Sequence, residues 1–184
     1  ADAILIGEAT CSGDLISPNT YRDFILSYHS RLCPAISAPS ILHICGNSTR
    51  HIPYLAKTGA AGYSFDEGAD INVAREHLKG KVALAGYVPT VDPLLQGSPE
   101  AVYQYSLECL GNGVDILAPG CSLPQHVTFD NLAAINRAVY DWSSSDILKQ
   151  SVQETIEEKR AQAQAQASTS ASGSRRRRRA RPTR

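Results

Sequence analysis

Five short apolar runs, each followed by a segment of helical periodicity, constrain this chain more than any other feature. The runs are "ADAILIG", "PSILHIC", "AGYSFD", "KVALAGYV" and "VDILAPG". Strands covered on both faces read as continuous apolar stretches, as "AILI", "VALA" and "DILA" do. Between the first two runs, Tyr21, Phe24, Ile25, Tyr28 and Leu32 recur at helical spacing and predict one apolar helix face. Ser17 is its expected cap and Pro18 suits its first position. "RHIPYLAKTG" and "INVAREHLKG" predict helices closed by Gly59 and Gly80. "SPEAVYQYSLECLGNG" predicts a helix capped by Ser98, with Pro99 first and Gly111 at its end. In "FDNLAAINRAVYDW", Leu132, Ile135, Val139 and Trp142 share a face.

Strand and helix alternating over short connections imply a parallel sheet with helices outside it. A doubly wound sheet and a barrel both satisfy this pattern. No Gly-x-Gly-x-x-Gly follows the first strand, so a dinucleotide fold gains no support. A full eight-unit barrel takes ~250 residues, and this chain has 184. The expected fold class is therefore α/β: a partial TIM-type (β/α) barrel of about five β-α units. It should span residues 1–145, followed by a helical extension over 146–167 and a disordered Arg-rich tail over 168–184.

Eighteen basic and eighteen acidic residues cancel, but unevenly. Residues 161–184 carry seven Arg and no acid, which leaves 11 basic against 18 acidic, or −7, on residues 1–160. The Arg run at 175–179 has no interleaved aromatics to stack on bases, so nucleic-acid binding through the tail is not expected. No apolar stretch is long enough for a membrane span, and the first residues do not read as a signal peptide, so neither is expected. The odd count of five Cys argues for free thiols and a cytoplasmic protein. The chain has no Met and starts directly on a strand-like run, as a piece of a longer protein would.

Two of the runs carry soft metal ligands at their ends: His43 and Cys45 in "ILHICGN", and Cys121 in "ILAPGCS". Residues i and i+2 of a strand point the same way, so His43 and Cys45 can grip one ion. Cys121 reaches in from the same rim, where parallel α/β folds build their sites. Imidazole and thiolate suit tetrahedral Zn²⁺, and three protein ligands leave one position for substrate. A metal-bound thiol is deprotonated outright, against a free pKa near 8.5, and becomes a nucleophile. Cys11 and Cys33 lack a metal-spaced partner and read as packing residues, as does Cys109. His29, His51, His77 and His126 show no carboxylate–His–nucleophile arrangement, although His126 is near Cys121.

"ILHICGN", "VALAGYVP", "GVDILAPGC" and "SGDLISPNTYRDFILSYHSRL" together resemble the uroporphyrinogen decarboxylase superfamily, and within it the methylcobalamin:coenzyme M methyltransferase branch. The resemblance runs from about Ala1 to Tyr140 and covers the C-terminal part of that barrel. It implies zinc held by His43, Cys45 and Cys121, with Asp66 positioning substrate; Glu8, which ends the first strand at the same rim, is the candidate fourth ligand in the resting state, displaced when a thiol arrives. It further implies transfer of a methyl group from methylcobalamin, carried on a separate corrinoid protein, to a small-molecule thiol such as coenzyme M. The decarboxylases of the superfamily act without this metal site. A decarboxylase-type lyase, or a non-catalytic barrel fragment that binds a corrinoid protein, are the alternatives. The chain departs from the family at Gly86-Tyr87-Val88-Pro89, where Asn is usual in place of Tyr87, implying altered size and hydrogen bonding at the rim. The early barrel strands are absent, so the resemblance does not carry activity over to this chain alone.

Overall fold

The structure, a computed structural model, describes residues 1–179, with side chains through residue 167. Of the tail expected to be disordered over 168–184, the backbone of 168–179 continues the last helix, and 180–184 lie outside the described residues. Five strands form one parallel sheet in the order β1-β2-β3-β4-β5. They are β1 (Ile4–Gly7), β2 (Ser40–Ile44), β3 (Gly62–Phe65), β4 (Ala83–Val88) and β5 (Ile116–Pro119). Each strand pairs with the next in sequence, which is barrel progression; a doubly wound sheet would reverse its order at a switch point. Right-handed crossovers put the helices that connect successive strands on one side of the sheet. The arc of a (β/α) barrel expected from the sequence is what the chain forms.

Curvature shows in one distance. Three strand spacings would hold the ends of β2 and β5 about 14 Å apart in a flat sheet, yet the sulfurs just beyond those ends are 3.4 Å apart. The sheet has curled until its first and last carriers of ligands meet.

The helices are α1 (Pro18–Thr20), a π turn (Tyr21–Ile25), α2 (Leu26–Ala35), α3 (Ile52–Leu55), α4 (Ile71–Leu78), α5 (Pro99–Gly111), α6 (Phe129–Ser144) and α7 (Asp146–Arg179). Ser17 and Ser98 cap as expected, accepting the N–H of Thr20 and Ala101. Asp70 and Thr128 add caps that the sequence reading did not assign. No helix among the described residues is long and apolar enough to cross a membrane.

Burial departs from expectation in three places. The continuous runs of β1 and β5 were expected to be covered on both faces, but these are the sheet's edges and expose Leu5 and Ile116. In α6 the inward face is Asn131, Ala134, Ile135 and Ala138, and Val139 is exposed. Along 18–35 the inward residues are Tyr21, His29 and Cys33, whereas Phe24, Tyr28 and Leu32 face solvent. The π turn explains the last shift: it adds one residue to a turn, so the inward face resumes at 29 and 33 in place of 28 and 32.

Candidate metal centre

His43 lies on β2 with Ser64 of β3 directly beside it in register. The Ser64 carbonyl, which can only accept, is 3.1 Å from His43 Nδ1, and its hydroxyl is equally close. The ring proton therefore sits on Nδ1, and Nε2 presents its lone pair to the rim. Cys45 Sγ is 3.3 Å from that Nε2 and 3.4 Å from Cys121 Sγ. The three ligand atoms all lie within 4.8 Å of one another. Burial, and then the hydrogen bond and charge of Cys121, push the Cys45 thiol up to about 11. Without a cation Cys45 is a thiol; a bound ion is what converts it to thiolate. Two sulfurs and an oriented imidazole fit Zn²⁺ with a fourth position open.

The turn carrying Cys45 is pinned from both sides. Asp66 accepts the Gly46 N–H at 2.9 Å and Asp14 accepts the Asn47 N–H at 2.9 Å. Gly46 has φ 66, a left-handed conformation that suits glycine, and an added Cβ would meet Asp14 Oδ2 at 2.3 Å. Asp66, expected to position substrate, thus holds the ligand turn. Burial opposes its charge, yet hydrogen bonds from Glu67 and from the Gly46, Gly68 and Glu67 amides outweigh that and hold its pKa below the ordinary value. Neighbouring Glu67 moves the opposite way, to about 7, through burial and then the Asp66 hydrogen bond.

Glu8 does not join the trio. Its carboxylate turns to Cys11, at 3.5 Å, and to His29, at 3.6 Å. The reason is local: a 3₁₀ turn at Ala9–Cys11 starts at Glu8 and folds Cys11 back onto it. Cys11, read as a packing residue, and His29, read as lacking a carboxylate partner, therefore both sit against the Glu8 carboxylate, and the sequence carried no spacing signal for it. His126 is exposed and outside the trio. Tyr87 does not face the rim: it is buried, stacks 5.0 Å from Phe65, and accepts a hydrogen bond from Asn112. Its effect is on packing toward α5.

Comparison with known proteins follows the same lines. Residues 1–142 match the family described as uroporphyrinogen decarboxylase (URO-D). The methylated-thiol--coenzyme M methyltransferase of Methanosarcina mazei is 35% identical over 138 residues, 75% of this chain and 37% of the relative. The methylcobamide:CoM methyltransferase MtbA of Methanosarcina acetivorans is 33% identical, over 72% of this chain and 40% of the relative. A uroporphyrinogen decarboxylase of Coxiella burnetii is 24% identical, over 78% of this chain. A solved methyltransferase from Methanosarcina mazei superposes with a TM-score of 0.74 at 29% identity, covering 78% of this chain and 43% of that one. The chain spans roughly two-fifths of the length of the curated relatives it matches.

Proposed function

From a chain that belongs to the uroporphyrinogen decarboxylase family, we propose a zinc-dependent methyltransferase that moves a methyl group from a methylated corrinoid to a thiol such as coenzyme M. The observation that carries the reading is the meeting of Cys45 and Cys121, 3.4 Å apart, with His43 Nε2 at 3.3 Å from Cys45. Relatives named as acting on a methylcobamide and coenzyme M support it.

His43, Cys45 and Cys121 would hold the zinc, which supplies Lewis acidity to a thiol in the open position. Ser64 fixes the imidazole tautomer, and Asp66 and Asp14 fix the turn that aims Cys45. In the reaction the thiol would release its proton to solvent on binding, and its sulfur would attack the methyl carbon. A sulfur–carbon bond forms, the cobalt–carbon bond breaks, and the electron pair stays on cobalt. The methylated corrinoid comes on a partner protein that docks over the strand-end rim.

Metal analysis of purified wild type beside Cys121→Ser tests this. The variant should lose one zinc equivalent and retain zinc at this site at least ~10–100-fold more weakly, since losing a ligand costs at least as much as losing a ligand's support. Equal retention in both proteins against a chelator overturns the reading.

A further inference from the structure

Glu8, Cys11 and His29 place three different donor types within 4.8 Å of one another at the end of β1, with Cys11 3% and His29 2% exposed. The Glu8 carboxylate reaches each neighbour with a different oxygen. Glu8 Oε1 is 3.6 Å from His29 Nε2, past the roughly 2.7–3.2 Å of an N–H···O bond. Glu8 Oε2 is 3.5 Å from Cys11 Sγ. Tetrahedral zinc, with bonds of about 2.3 Å to sulfur and 2.0 Å to nitrogen or oxygen, sets S···O near 3.5 Å and N···O near 3.3 Å. A thiol–carboxylate hydrogen bond also spans 3.5 Å; one donor atom from each residue nonetheless lies within 4.8 Å of the other two, close enough to hold one ion.

Two independent features prepare the His29 imidazole. The π turn rotates residue 29 inward, and such turns collect at functional sites. The fully buried Tyr21 hydroxyl is 2.8 Å from His29 Nδ1, so the far nitrogen has its partner while Nε2 faces Glu8 and Cys11. A hydrogen-bonded outer nitrogen is the usual companion of a metal-binding one.

We propose that Glu8, Cys11 and His29 form a second divalent-cation site, of zinc type, beside the first. Thiolate plus carboxylate offset a 2+ charge, and the sulfur–imidazole–carboxylate set favours zinc over magnesium or calcium. Binding converts the Cys11 thiol to thiolate and releases one proton; nothing is oxidised or reduced. A water or small ligand completes the fourth position. The two sites adjoin, because the Glu8 N–H donates to the His43 carbonyl at 2.8 Å. The proposal does not depend on methyl transfer.

The full 184-residue chain, stripped of metal and reloaded with Zn²⁺, is compared as wild type, Cys121→Ser, Cys11→Ala and the double variant, each with its helix content checked by circular dichroism. Two zinc ions are expected on wild type, one on each single variant and none on the double. As many zinc ions on Cys11→Ala as on wild type overturn the second site. One zinc on wild type that Cys121→Ser removes also overturns it, and leaves the first site standing. One zinc that Cys11→Ala removes and Cys121→Ser keeps supports the second site and refutes the first. If Cys11→Ala does not fold, Glu8→Gln, on a half-buried residue, takes its place and should weaken zinc retention tenfold or more; unchanged retention there overturns the proposal.

Discussion

Asp66 and Glu67, consecutive carboxyls beyond β3, respond to the fold in opposite directions, and that makes them separable by pH. Glu67 is raised from 4.5 to about 7, so between those values the folded chain holds a proton the unfolded chain has lost. Stability from this group is present at low pH and declines as pH rises through 7. Asp66 is held below its ordinary value, so its contribution is present at neutral pH and is lost only on strong acidification. Glu67→Gln should therefore gain melting temperature relative to wild type on going from pH 5 to pH 8. The gain stays under ~1 kcal/mol because the Glu67 carboxyl is only partly buried, the residue as a whole being exposed, so solvent screens it. Thermal unfolding followed by circular dichroism checks it; a difference that does not grow with pH would mean that the fold does not raise the Glu67 carboxyl. At this scale the trio was legible because strand alternation and the sheet rim fix where His43, Cys45 and Cys121 point. Glu8 was not: the same rim argument applied, but a three-residue turn redirected its side chain to Cys11.

Among the elements, strands and helix starts were readable because their signals are local: apolar runs, Ser17 and Pro18, Ser98 and Pro99. The phase of the helix over 18–35 was not. Its apolar residues Phe24, Tyr28 and Leu32 follow ordinary spacing, but the π turn carries them to solvent and brings in His29 and Cys33. Nothing in local periodicity marks one inserted residue. The insertion can be tested by removing it. Deleting exposed Asp23 shortens Tyr21 to His29 from eight residues to seven, which an ordinary α-helix keeps on one face. That variant should unfold within about 1 kcal/mol of wild type, while deleting Ser30, which turns Cys33 out of the core, should cost more than ~2 kcal/mol. Urea midpoints compare the two; equal losses would mean the π turn does not set the helix phase.

Across the whole molecule, the sheet order leaves β1 and β5 each with one unpaired edge among the described residues. The edges are apolar: Leu5 is 60% exposed, and Ile4 and Ile116 are exposed beside it in type. On the helical side Phe24 and Tyr28 are 67% and 62% exposed. An open arc with apolar edges is a template for pairing with another chain. A cavity of about 700 Å³ between α5 and α7, lined in part by Tyr105, Leu107, Val152 and Ile156, does not include the trio. The 19.8 kDa chain should therefore associate with itself in solution. Light scattering behind size exclusion should give a mass above the monomer that rises with concentration. Leu5→Lys and Ile116→Lys place a charge on each edge and should shift the mass toward monomer without loss of helix signal, since neither side chain is in the core. A wild type that stays monomeric at all concentrations overturns this expectation.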